Sequence, residues 1–138
     1  SQFGVLLGVS EQRAYAVDLY FDDAGNYQSF DESSLLIQPA GKGQLINKIK
    51  EEQGYQHAVL IGDGMNDASA IDSVDRFIGY GANEYRENVK AIADVYVTEP
   101  SLLSILPLVL TEQERGCLSL EDRALHDKGM DLLKVSCP

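Results

Sequence analysis

The sequence predicts an α/β protein built on a parallel sheet, and three observations lead there. An uninterrupted apolar run, Ala58-Val59-Leu60-Ile61, stops at Gly62 and leads at once into a loop with two carboxylates and an amide, Asp63, Asn66 and Asp67. Strand-like and helix-like segments alternate from residue 55 to residue 110, the order expected of βαβ units. Closer to the start, apolar residues alternate on either side of Asp22-Asp23-Ala24-Gly25-Asn26, which is hairpin-turn chemistry.

Size and charge narrow the function. A chain of 138 residues with 44% hydrophobic content is long enough for one domain with a core. Asp and Glu outnumber Lys and Arg by 22 to 11, and the net charge of −11 argues against nucleic acid as a partner. No apolar run approaches the roughly 20 residues that span a bilayer, and the first residues do not resemble a signal peptide. The expectation is a soluble, cytoplasmic protein with no membrane partner. Cys117 and Cys137 lie outside any CxxC or Cys/His cluster, so neither a zinc site nor a disulfide is expected.

Phe3, Val5, Leu6 and Leu7 read as the last turns of a helix closed by Gly8. Tyr15 to Phe21 alternates, with Val17, Leu19 and Phe21 on one face, as a half-buried strand does, and Tyr27 to Phe30 returns as its hairpin partner. Asp18, Asp22 and Asp23 are read as turn formers rather than metal ligands, because no helix or strand spacing converges them. Gly41-Lys42-Gly43 opens a helix that buries Leu45, Ile46 and Ile49 and is capped by Gly54. A lysine in the first turn opposes the helix dipole, and two readings stand side by side: a solvated surface lysine, or an anion site with phosphate as its tenant.

Ala58 to Ile61 has the character of a parallel strand buried on both faces. Asp63, Asn66 and Asp67 then fall where an open α/β sheet keeps its ligands, beyond the carboxyl ends of its strands. Hard oxygen donors suit Mg²⁺, which takes few protein carboxylates and keeps waters and substrate phosphate in its other positions. Equally, Asp-Gly is a turn signal, and an Asn-Asp that opens a helix is a cap. Ala68 to Val74 shows helical spacing and Arg76 to Tyr80 reads as a strand. Asn83 is placed as the cap of a helix with Tyr85, Val89 and Ile92 inward and Arg86 off that stripe. Asp94 to Val97 is a further strand, and Ser101 to Leu110 an apolar helix that Pro107 must kink or split. From Thr111 the composition turns polar, and Ser119 caps a last helix interrupted by Gly129, with His126 read as exposed. The expected division is a core over residues 1–110 and an atypical tail, with one helix, over residues 111–138.

With Lys42 and Gly62-Asp63-Gly64-Met65-Asn66-Asp67 placed, the chain resembles the haloacid dehalogenase superfamily and, within it, the phosphoserine phosphatase family. Lys42 corresponds to the superfamily's third motif, and the strand with its Gly62–Asp67 loop to the fourth. Further matches are Gly25-Asn-Tyr-Gln-Ser-Phe-Asp31, Phe77-Ile-Gly-Tyr-Gly81, and the run Arg86, Val89, Ala93, Asp94 and Tyr96. The similarity covers roughly residues 3–110. It implies part of a Rossmann-like parallel sheet with flanking helices and a β-hairpin insertion. It also implies Mg²⁺-dependent hydrolysis of a small phosphorylated metabolite, phosphoserine, in serine biosynthesis. Asp63 would ligate the metal, Asp67 would orient Lys42 or a water on the metal, Asn66 would contact phosphate, and Lys42 would neutralise the phosphoryl oxygens.

Two departures accompany the resemblance. No Asp-x-Asp occurs anywhere, so the family's nucleophile and acid/base motif is missing, as are its second-motif serine or threonine and most of its cap. Residues 111–138 extend past the family pattern. The expectation is the carboxyl-terminal part of a phosphatase, starting just downstream of the second motif. Alone it would be silent and marginally stable, and it would self-associate through an exposed sheet edge. The alternatives are a non-enzymatic remnant that folds with a partner chain and a Mg²⁺- or phosphate-binding module.

Overall fold

The computed structural model describes residues 2–136. Helix α1 (Gln2–Leu6) closes at Gly8, whose φ of 70° is the left-handed conformation that glycine adopts without strain. The predicted hairpin forms from β1 (Leu19–Phe21) and β2 (Tyr27–Phe30), antiparallel, with Leu19 opposite Phe30 and Tyr20 opposite Ser29. Its turn is held by Asp22, whose carboxylate accepts from the amides of Ala24 at 3.0 Å and Asn26 at 2.8 Å. The turn reading is therefore the right one for Asp22. Half-burial is not observed: Leu19, Phe21 and Tyr27 are 54%, 56% and 58% exposed, because each strand packs chiefly on the other.

Helix α2 (Gly41–Gln53) begins where the sequence places it and ends at Gly54, where the amide of Tyr55 reaches the Lys50 carbonyl at 2.9 Å. Leu45, Ile46 and Ile49 are half-buried. Strands β3 (Val59–Gly62), β4 (Arg76–Tyr80) and β5 (Val95–Val97) then form a parallel sheet in that order. Two aspartates set its register in the same way. Asp75 exchanges hydrogen bonds with Ala58, its amide donating at 2.9 Å and its carboxylate accepting at 2.8 Å. Asp94 does the same with Phe77 at 3.0 and 2.7 Å.

The middle strand is the buried one. Phe77 and Ile78 of β4 are fully enclosed, whereas β3 lies at the edge with Ile61 exposed. The expectation of a β3 buried on both faces is thereby corrected: Val59 and Leu60 are only half-buried and Ile61 is exposed, and β3 has a strand neighbour on one side alone among the described residues. Ala68 to Val74 also differs from expectation. It resolves into α3 (Met65–Ala68) and a 3₁₀ turn at Ile71–Ser73, with Ala70 fully buried and Ser73 packed on the start of α2. The next helix, α4 (Glu87–Lys90), is capped by Arg86 and not by Asn83. The Tyr96 hydroxyl accepts the Arg86 amide at 2.8 Å and so starts the helix there, leaving Tyr85 and Ile92 exposed and only Val89 buried in it.

Pro107 splits the last apolar segment, as a residue without an amide proton should. Leu102–Ile105 is a 3₁₀ turn, and α5 (Leu106–Val109) follows. The tail holds α6 (Glu112–Gly116) and α7 (Leu120–Ser136). Ser119 caps α7 by accepting the Asp122 amide at 3.1 Å. Gly129 does not interrupt α7: a β-carbon there would stand 2.3 Å from the Leu103 carbonyl oxygen, so glycine is what lets α7 lie close on the 102–109 segment. Leu133 packs on the cluster of Ile78, Val97 and Ile105. His126 is 4% exposed, which overturns its reading as a surface residue. Cys117 is an exposed free thiol, and Cys137 lies outside the described residues. Among the described residues no helix is long and apolar enough to cross a membrane.

Candidate functional site

The site is the turn that carries the chain from β3 into α3. Asp63 follows the last strand residue, is exposed, and makes no hydrogen bond among the described residues. The chain then folds back so that Asp67 points toward the strand end. Its Oδ2 accepts the Gly64 amide at 3.2 Å, and its Oδ1 is ion-paired with the ammonium of Lys42. A β-carbon at Gly62 would fall 2.3 Å from Asp67 Cγ, so the glycine that ends the strand makes room for this carboxylate. Asp67 is buried, and buried carboxylates require such partners.

Lys42 reaches Asp67 across 25 residues of sequence because the start of α2 is pressed against the loop's own support. A β-carbon at Gly41 would overlap the Leu35 carbonyl at 1.7 Å, and one at Gly43 would stand 2.8 Å from Ser73 Oγ. The glycines flanking Lys42 thus serve close approach. Asn66 is exposed, and its backbone carbonyl accepts the Ser69 hydroxyl at 2.8 Å. Of the four residues singled out in the sequence, the structure pairs Lys42 with Asp67, sets Asp63 beside them on the same loop, and leaves the Asn66 side chain outward.

The other flank is formed by Arg86. Its Nη2 donates to Glu84 at 2.6 Å, and its Nη1 lies 3.6 Å from where a β-carbon at Gly64 would stand. The Glu84 carboxylate, and to a lesser degree the charge on Asp63, hold the guanidinium above its ordinary pKa. Tyr96 supports this side, its ring lying over Gly79 and its hydroxyl over Gly81, where β-carbons would come within 2.6 and 2.1 Å. Sequence reasoning missed Glu84 and the Tyr96 hydroxyl as parts of the site. The signal that could have found them is the spacing Gly79-Tyr80-Gly81, which leaves a ring-sized gap at the sheet's carboxyl end.

The donor set of the loop is hard oxygen. Among the described residues no three His, Cys, Asp or Glu side chains converge. One free carboxylate, Asp63, beside a second acid fits Mg²⁺, which is commonly bound by one or two carboxylates with water and phosphate completing its shell.

No family model matches the chain. Curated phosphoserine phosphatases do: those of Bos taurus and Homo sapiens are each 36% identical over 93 residues, covering 67% of this chain and 41% of theirs. The chain is a phosphoserine phosphatase-like member of the haloacid dehalogenase superfamily. A third member of this family, the phosphoserine phosphatase of Drosophila melanogaster, is 35% identical over 94 residues, covering 67% of this chain and 35% of its own length. The chain therefore spans about two fifths of the mammalian family members it matches, 41%. Solved structures share the fold. A phosphoserine phosphohydrolase-like protein from Francisella tularensis superposes with a TM-score of 0.54 at 21% identity, over 70% of this chain and 44% of that one. DsGPDH of Dunaliella salina superposes with a TM-score of 0.56 at 20% identity, over 77% of this chain and 17% of that one.

Proposed function

We propose that this chain supplies the cation-binding and charge-neutralising part of a Mg²⁺-dependent phosphomonoesterase that acts on phosphoserine in cytoplasmic serine biosynthesis. Residues 1–110 would form the carboxyl-terminal part of its core and residues 111–138 an added tail. The observation that carries the reading is the Lys42–Asp67 pair beside the free carboxylate of Asp63 at the end of β3. Asp63 holds the cation, which polarises the phosphoryl group when bound. Lys42 offsets the negative charge on the phosphoryl oxygens, Asp67 keeps the Lys42 ammonium in place, and the outward amide of Asn66 meets phosphate.

Hydrolysis through an aspartyl-phosphate needs a nucleophile and an acid/base as well. Charge stabilisation without them does not turn over a phosphoester at a useful rate. Because the sequence contains no Asp-x-Asp, we assign both groups to sequence outside this chain, and the 138-residue chain is silent by itself. The exposed edge of β3, with Ile61 43% accessible, is then a surface for strand addition or self-association.

The test is phosphate release from phosphoserine by a protein extended upstream to include a strand with Asp-x-Asp-x-Ser/Thr. Release should depend on Mg²⁺, and Asp63→Asn should lower it by roughly two orders of magnitude. Activity in excess chelator, or an Asp63→Asn variant as fast as the parent, would overturn the assignment of the loop. Hydrolysis by the 138-residue chain alone would show that a nucleophile lies among its own residues.

A further inference from the structure

Asp63 lies between Gly62, the last residue of β3, and Gly64. Lys42 acts on this segment indirectly, through Asp67, whose Oδ2 accepts the Gly64 amide at 3.2 Å. Near Asp63 itself the neighbouring cation is Arg86, with Nη1 turned to Gly64 and Nη2 bonded to Glu84 at 2.6 Å. The arginine is fixed in its turn, since its amide donates to the Tyr96 hydroxyl at 2.8 Å. A guanidinium suits this place because, with Nη2 bonded to Glu84, its planar fork fixes the direction in which Nη1 lies against the loop, which an ammonium does not do.

We propose that Arg86, oriented by Glu84, is a positioning residue that holds the Asp63–Gly64 segment in the geometry in which Asp63 binds a divalent cation. This rests on the reading of Asp63 as the cation's ligand. Glu84 has a second effect: it neutralises Arg86, so that the positioning group does not repel the cation it serves. The proposal differs in sign from a purely electrostatic role. A bare positive charge beside a metal site weakens binding, and removing it would tighten binding. Removing a group that orients a ligand weakens binding, typically by 10-fold to 100-fold.

The experiment is a Mg²⁺ titration of the 138-residue chain, followed through the amide resonances of Asp63 and Gly64. Arg86→Gln should raise the dissociation constant by about tenfold and shift the Gly64 amide even without metal. Arg86→Lys keeps the charge but not the fork and should stay weakened several-fold. Glu84→Gln should weaken binding too, and it keeps the proposal testable if Arg86→Gln fails to fold. Unchanged or tighter binding by folded Arg86→Gln, or by Glu84→Gln, overturns the proposal. A merely structural arginine would lower the melting temperature and leave the affinity of the folded protein as it was. If Asp63→Asn abolishes binding while Arg86→Gln does not alter it, the proposal alone falls. If the parent chain shows no Mg²⁺-dependent shifts, or Asp63→Asn binds equally well, the reading of the loop falls and the proposal with it.

Discussion

The ammonium of Lys42, at the start of α2, and the carboxylate of Asp67, at the start of α3, form an ion pair whose lysine side chain is 42% exposed and whose acid is 12% exposed. The pair ties a helix to the loop at the end of β3 across 25 residues, and it leaves the lysine partly open to solvent, where an anion can reach it.

Lys42→Ala removes one partner of the other's largely buried charge. Breaking a fully buried pair costs 3 to 5 kcal/mol, and the exposure of Lys42 lowers the expected loss to about 1–2 kcal/mol. Urea unfolding of Lys42→Ala, Asp67→Ala and the double variant should give a coupling energy of that size. Strict additivity would show that the pair contributes nothing. In the extended, active protein, Lys42→Ala should lower the maximal rate far more than it weakens substrate binding, because the charge it meets builds in the transition state. Small and equal effects would return it to the role of a surface lysine.

Gly129 sets the distance between α7 and the 102–109 segment, since a β-carbon there would stand 2.3 Å from the Leu103 carbonyl and 3.0 Å from Pro107 Cδ. In an exposed helix, glycine to alanine gains up to about 1 kcal/mol. Here overpacking outweighs that gain, and Gly129→Ala should destabilise by roughly 1–2 kcal/mol. Hydrogen exchange should show protection lost first in α7. A stabilised variant would mean that α7 is free of the core.

Asp22, Asp31, Asp75 and Glu114 are all held below their ordinary values, 3.8 for the aspartates and 4.5 for the glutamate. For Asp75 the chief cause is the hydrogen bond from the Ala58 amide, followed by that from His57. A carboxylate with a depressed pKa in the folded protein stabilises it above the unfolded value and loses that contribution as pH falls through the folded one. The urea midpoint should therefore hold near neutrality and fall as pH drops through 4.5 and then below 3.8. Asp75→Asn should make that fall shallower. A midpoint that rises on acidification would contradict the sign.

Much of this protein is legible along the chain. The Asp22 to Gly25 turn, the Gly54 cap, the split at Pro107 and the cap at Ser119 are each decided by dihedral preferences and hydrogen bonds within a few residues, so a linear reading captures them. The Gly62–Asp67 loop is legible for the same reason, since a strand end followed by acids can be seen without coordinates. Burial and pairing are decided elsewhere. Alternation in the hairpin marks Leu19 and Phe21 as one face, but only the tertiary structure shows that face uncovered. His126 looks like any polar helix residue until the folded chain encloses it, and Gly129 looks like a break until the Leu103 carbonyl is seen beneath it. Lys42 meets Asp67, and Arg86 comes up beside Gly64, because α2, the turn after β3 and the segment after β4 are brought together at the carboxyl end of the parallel sheet. Local geometry depends on neighbours in sequence, and the sequence by itself determined it. Which surfaces meet depends on the packing of distant segments, so burial, ion pairs and the two flanks of the loop were decided by the tertiary structure alone.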